Sequence, residues 1–170
     1  MSRYRIIEGV AQQATREGTA GHAAGSCRIA IAAARFNEDI VGKMVEGALA
    51  AWERQGGGTD DLAVVHVPGA FELPLVARRL ATSRRYDAVI AMGCVIRGDT
   101  AHFDFVAGEA ARGIAEAARD TGVPVIFGVL TTENVAQALE RADPARMDKG
   151  GEAMDAALEM VQLLRRISAP

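Results

Sequence analysis

The sequence predicts an α/β fold, a three-layer αβα sandwich in which a four-stranded parallel sheet carries helices on both faces. Three observations lead there. Apolar runs of strand length alternate with stretches of helical periodicity along most of the chain. The first confident run, from Arg28 to Ala34, is apolar on both faces, as a strand buried between two helix layers must be. Each run also leaves through a turn bearing Gly, Pro or Asn, the joint from which a right-handed crossover proceeds. With 170 residues, 49% of them hydrophobic and 24% charged, one well-buried domain is expected.

Taken in order, Tyr4 to Ile7 reads as a short strand, and Glu8 to Ser26 is rich in Gly, Ala, Gln and Thr without periodicity. Residues 1–26 are therefore expected to be a flexible segment, with His22 inert, whose strand can join a neighbouring subunit's sheet edge. Residues 27–170 are expected to form the domain. After the strand Arg28 to Ala34, Asn37 reads as a helix N-cap, with Glu38 and Asp39 in an acidic first turn. Ile40, Met44, Ala48 and Ala51 form that helix's apolar stripe, and Gly56 to Gly58 end it. Phe36, at the exposed end of the strand, reads equally as a stacking platform for a flat ligand or as a residue closing the core.

Leu62 to Val67 is the second main strand, with His66 expected to be packed inside it. Pro68-Gly69 makes a tight turn, and Pro74 fits the first turn of a helix running to about Ala81. Glu72 near that helix start suits the helix dipole, and it also suits hydrogen bonds from ligand hydroxyls. Asp87 to Met92 is the third strand, leaving its apolar run near Gly93. Phe103, Val106, Ala107, Ala110, Ala111, Ile114 and Ala118 then give the core stripe of the next helix. Val123 to Leu130 is the fourth strand, and Thr131 to Asn134 caps a helix to about Arg141 that Asp143-Pro144 breaks. A last helix starts at Lys149, with Met154, Ala157, Leu158, Val161 and Leu164 lying back on the sheet.

The stretch Gly93 to Val106 is the chemical centre of the chain. A strand-loop-helix joint aims free backbone N–H groups and the positive end of a helix dipole above the sheet edge, which favours a phosphate or carboxylate. Arg97 adds a cation and Thr100 a hydroxyl, while His102 falls in the first helical turn, where the dipole favours the neutral, proton-accepting imidazole. The plainer reading is a surface histidine and a solvated arginine. Neither a Gly-x-x-x-x-Gly-Lys-Ser/Thr loop nor a Gly-x-Gly-x-x-Gly fingerprint occurs here. Phe36, Ala70 to Glu72 and Cys94 to His102 all fall beyond the carboxyl ends of strands, where such sheets bind ligands.

Several function classes lose support on composition. A formal net charge of -3 with 5% aromatic residues offers no footprint for nucleic acid. Cys27 and Cys94 sit in apolar strand-like segments and are read as small hydrophobes, neither disulfide nor metal ligands. No apolar run approaches the roughly 20 residues that cross a bilayer, and the N-terminus has no secretory pattern, so a soluble cytoplasmic protein is expected. A phosphoacceptor signalling domain needs acids at the end of the first strand, and Ala32-Ala33-Ala34-Arg35 supplies none.

Four stretches together carry a resemblance: Arg35-Phe36-Asn37, Val67 to Pro74, Gly93 to Phe103 and Gly122 to Gly128. From about Arg28 to Leu164, in order and in spacing, the chain closely resembles the 6,7-dimethyl-8-ribityllumazine synthases. The resemblance implies a flavodoxin-like sandwich and condensation of 5-amino-6-ribitylaminouracil with 3,4-dihydroxy-2-butanone 4-phosphate to give the lumazine, phosphate and water. It implies no cofactor and no metal. By position, Phe36 would stack on the pyrimidine and Ala70, Phe71 and Glu72 would hold the ribityl chain. Cys94, Val95 and Ile96 would meet the ring through backbone atoms, and Asp99 and Thr100 would bind the phosphate with Arg141. Phe127 would close the pocket from a neighbouring subunit, and His102 would transfer protons.

The same resemblance implies a homopentamer with sites between neighbours, which some members close into an icosahedral shell, and riboflavin synthase as a further partner. Residues Asp143 to Gly150 depart from the Gly-rich, Asn-containing form of shell-forming members. Cys94 stands in place of a more usual Thr and Asp99 in place of a small residue; an acid beside a phosphate lowers affinity unless it points away. A flavin carrier or storage shell on this fold would keep Phe36 and the phosphate loop but would not need His102, so retention of His102 and Arg141 favours the enzyme.

Overall fold

The structure is a computed structural model that describes residues 5–7 and 27–169. The expectations for residues 1–4 and 8–26, including Tyr4 and His22, lie outside the described residues. Among the described residues five strands form one parallel sheet: β1 (Arg5–Ile7), β2 (Ile29–Ala34), β3 (Leu62–Val67), β4 (Ala88–Ile96) and β5 (Val125–Thr132). Their order is β1-β3-β2-β4-β5. The expected four-stranded parallel sheet is thus present, and β1 is added at its edge, with Arg5 to Ile7 in register with Ala63 to Val65 of β3 in the same chain.

Among the described residues five α-helices cover the sheet: α1 (Glu38–Arg54), α2 (Leu73–Thr82), α3 (His102–Thr121), α4 (Val135–Ala142) and α5 (Lys149–Ile167). Strand alternation sorts the core into two layers. Ile29 and Ile31 of β2 with Ile90, Met92 and Cys94 of β4 meet α1, α4 and α5. Ala30, Ala32 and Ala34 with Val89, Ala91 and Val95 meet α2 and α3. Ile29, Ile31, Ile90 and Met92 are fully buried, each contributing roughly 1.5–3 kcal/mol. The small side chains on the second face let α2 and α3 lie close together; a Cβ on Gly113 would come within 2.7 Å of Pro74 Cβ.

Three local expectations change. His66 is within β3 as expected but exposed, not packed. Its pairing with Ala33 gives it the α1/α5 face, but beyond Val65, the last residue that β1 covers, near the open end of the sheet. Strand β4 does not stop near Gly93 but runs to Ile96, because β5 gives it a partner out to Thr132. Correspondingly β5 starts two residues later than the apolar run and ends two later.

Candidate active site

The overshoot of β4 creates the site. Its pairing with β2 ends at Met92 opposite Ala33, whereas its pairing with β5 continues through Ile96 opposite Thr132. Residues Gly93 to Ile96 therefore have no strand partner on the β2 side. Main-chain groups of alternate residues point to opposite edges of a parallel strand. Arg97 N–H donates to Thr132 O at 2.9 Å, so Cys94 and Ile96, of the other parity, turn their main-chain groups to the open edge. One of these is already used: the Asn37 side-chain amide donates to Cys94 O at 2.9 Å.

That bond explains why Asn37 does not cap α1. Its side chain makes no cap hydrogen bond, and its backbone is left-handed, with φ of 61°, a conformation Asn tolerates better than most residues. The turn is also pinned by Arg35 N–H to Val67 O at 2.8 Å and Phe36 N–H to Pro68 O at 3.1 Å. Held this way, Phe36 is 70% exposed. Of the two readings of this residue, closure of the core is excluded.

The second wall is a 3-10 turn, Ala70–Glu72, that leads into α2. It sits directly on β4: a Cβ on Gly93 would lie 3.1 Å from Leu73 Cδ1 and 3.4 Å from Ala70 Cβ. Glycine at this strand position is thus what lets the turn approach. Ala70 is buried, while Phe71 faces outward and Glu72 is half-buried.

The third wall is the loop from Arg97 to Ala101 with the first turn of α3. His102 is the first residue of that helix, and its N–H points at Thr100 Oγ1 at 3.4 Å. Arg97, expected to add a fixed cation to an anion site, is instead engaged by two acids and does not line the cleft. Its guanidinium pairs with Asp104 at 3.2 Å and Glu133 at 3.0 Å, and its Cζ stands 4.1 Å from the centroid of the Phe103 ring. The Glu133 hydrogen bond, with Asp104, holds its pKa above the ordinary arginine value.

Together the walls enclose a cleft of about 600 Å³. Phe36, Ala70, Phe71 and Glu72 line one side, and Cys94, Val95, Ile96, Thr100 and His102 the other. Asp99, Phe127 and Arg141 do not line it. Asp99 leaves the cleft to its neighbours Gly98 and Thr100, the arrangement in which an acid on this loop is tolerated. Phe127 lies on β5 and is 46% exposed, and Arg141 Nη1 donates to Gln137 O of its own helix at 3.0 Å. Phe105 lines the cleft and was missed. Its signal was present, since a phenylalanine off the apolar stripe of an amphipathic helix has no core to enter.

The floor of the cleft is chemically quiet. Burial pushes the Cys94 thiol up to about 11, so it stays protonated and is a packing group, not a nucleophile. Cys27 and Cys94 are both buried and neither is joined in a disulfide. Among the described residues no group of three or more His, Cys, Asp or Glu could hold a metal ion, and no helix is long and apolar enough to cross a membrane. The cleft therefore offers an aromatic platform, an open strand edge, a carboxylate, a helix N-terminus and one imidazole.

Residues 26–165 match the family described as 6,7-dimethyl-8-ribityllumazine synthase. A 6,7-dimethyl-8-ribityllumazine synthase from Chlorobium phaeovibrioides is 50% identical over 145 residues, covering 85% of this chain and 94% of that relative.

Proposed function

Because the chain belongs to the 6,7-dimethyl-8-ribityllumazine synthase family and is a transferase of riboflavin biosynthesis, we propose how its cleft condenses 5-amino-6-ribitylaminouracil with 3,4-dihydroxy-2-butanone 4-phosphate. The pyrimidine lies on Phe36, with its polar edge against the Cys94 N–H and the main-chain groups of Ile96 on the open strand edge, and against Val95. The ribityl hydroxyls reach Ala70, Phe71 and the Glu72 carboxylate. The phosphate sits over the start of α3, held by the loop of Asp99 and Thr100 and by Arg141, while Phe127 closes the ring pocket. Since Phe127 and Arg141 are away from this chain's own cleft, a neighbouring copy supplies them, which suits a homopentamer or larger assembly. Two buried cysteines without a disulfide suit a reducing, cytoplasmic setting.

The observation that carries this reading is the meeting of Phe36, Glu72, Thr100 and His102 in one cleft above an open strand edge. Amine attack on the ketone with loss of water to the imine, elimination of phosphate, and ring closure by the ribityl-bearing nitrogen onto the remaining carbonyl with loss of a second water each move a proton on one carbon skeleton. A single imidazole beside the anion site serves these steps in turn. Holding two reactants together supplies much of the acceleration, on the order of 7–11 kcal/mol.

Purified protein mixed with both substrates should form lumazine, followed by absorbance and fluorescence, well above the uncatalysed rate. His102→Ala should lower turnover by on the order of 10²-fold while leaving a residue of activity from proximity alone. Folded wild-type protein that binds a flavin-like ring but gives no acceleration would move the case to a carrier, and an unaltered His102→Ala rate would remove the proton-transfer role.

A further inference from the structure

Resting on that reading of the cleft, we propose that Arg97 is a positioning residue of the condensation: it locks the loop bearing Thr100 and His102 to two neighbouring elements and is not itself a ligand of the phosphate.

The guanidinium is the meeting point of three pieces of chain. Its own N–H holds the end of β4 to Thr132 O of β5. Nε reaches both carboxylate oxygens of Glu133, at 3.2 and 3.0 Å, in the turn between β5 and α4. Nη1 reaches Asp104 Oδ1 at 3.2 Å in the first turn of α3, and the Phe103 ring of that same turn lies beneath the cation. The loop from Gly98 to Ala101 is thus clamped at both of its ends by one side chain.

Charge and placement separate this role from anion binding. Two carboxylates meet one guanidinium, so the cluster carries a net negative charge and repels a phosphate that comes to it directly. Arg97 does not line the cleft, whereas Gly98, Thr100, His102 and Phe103 all do. Its influence reaches a substrate only through those residues.

The clamp also extends toward the second anion group. Glu133 precedes Asn134, whose side chain accepts from Gln137 N–H at 2.9 Å as the cap of α4. Helix α4 carries Arg141, which donates to Gln137 O. A planar fork that serves two acids and stacks on a ring is a task a lysine ammonium cannot reproduce.

The test uses the assembled enzyme with Arg97→Lys, Glu133→Gln and Asp104→Asn. Arg97→Lys should raise KM for the butanone phosphate and lower kcat, each by about tenfold, because a small misplacement of reacting groups is costly. KM for the pyrimidine should stay within about twofold, since the Phe36 wall is untouched. Glu133→Gln and Asp104→Asn should shift the same two parameters in the same direction by less, and neither should add to Arg97→Lys. Titration with inorganic phosphate should show the same weakening independently of turnover, so a failure of the whole functional reading, seen as wild type without lumazine formation, is distinguishable. Restoration of wild-type kinetics by lysine would make Arg97 a charge ligand and overturn the proposal. A fall in kcat with both KM values and phosphate affinity unchanged would reduce Arg97 to a purely structural residue and overturn it equally.

Discussion

A thiol at the floor of the cleft gives a pH signature. Cys94 is 2% exposed, and burial raises its pKa from about 9 to about 11. Between these values the unfolded chain ionises first, so it binds fewer protons than the folded one and gains relative stability. The contribution of this thiol to folding stability should be flat below about pH 8 and should fall as pH rises from about 9 to about 11, a component of the decline that Cys94→Ser removes. Urea titrations across that range check the slope; a slope unchanged in the variant would assign it to other groups. Residue-scale chemistry of this kind was only partly legible in the sequence. His102, Glu72 and Thr100 could be placed by their position after strands, and they do meet. Phe36 could not be decided, because whether a phenylalanine at a strand end enters the core depends on the bond from Asn37 to Cys94 O. Those two residues are 57 positions apart in the chain.

At the scale of elements, alternation and periodicity revealed the strands and helices, while their ends were set by partners. Gly93 looked like the close of an apolar run, yet β5 carries β4 on for three more residues, and those residues form the open edge of the site. Gly150 had the opposite fate. In the sequence it is only the second residue of the last helix, but a Cβ there would lie 1.8 Å from Met44 O of α1, so glycine is what lets the two helices touch. Asp148, left-handed at φ of 42°, caps the helix just before it by accepting from Gly151 N–H at 3.0 Å. Gly150→Ala should therefore destabilise by roughly 1–3 kcal/mol or more, through overpacking against backbone that cannot yield. Gly42→Ala in α1, where nothing lies within 4 Å of the new Cβ, should instead stabilise by about 0.5–1 kcal/mol. Thermal and denaturant unfolding of the pair measures both signs, and equal effects would mean that helix propensity, not helix contact, governs these glycines.

For the molecule as a whole, the cleft of one chain lacks two residues that the proposed site calls for. Its cleft has the platform, the loop and the imidazole, but Phe127 is half exposed elsewhere on β5 and Arg141 is bonded to its own helix. Phe36 and Phe105 are each 70% exposed beside the same cleft, apolar surface that a ligand or a neighbouring copy could cover. If a neighbouring copy supplies the missing pair, two damaged chains can repair each other. In an assembly of His102→Ala and Arg141→Ala chains mixed in equal amounts, a site is intact when an Arg141→Ala chain gives its His102 side and a His102→Ala chain gives its Arg141 side. Random mixing in a ring places that combination at about one site in four. The mixture, assayed at butanone phosphate well below saturation so that both parents are nearly silent, should then recover about a quarter of wild-type activity. Refolding the chains together, with separately refolded chains combined afterwards as the control, isolates the effect of sharing an interface. Activity equal to the mean of the two parents would place Arg141 in the same chain's site, and the cleft would then have to close by moving α4 toward His102 within a single subunit.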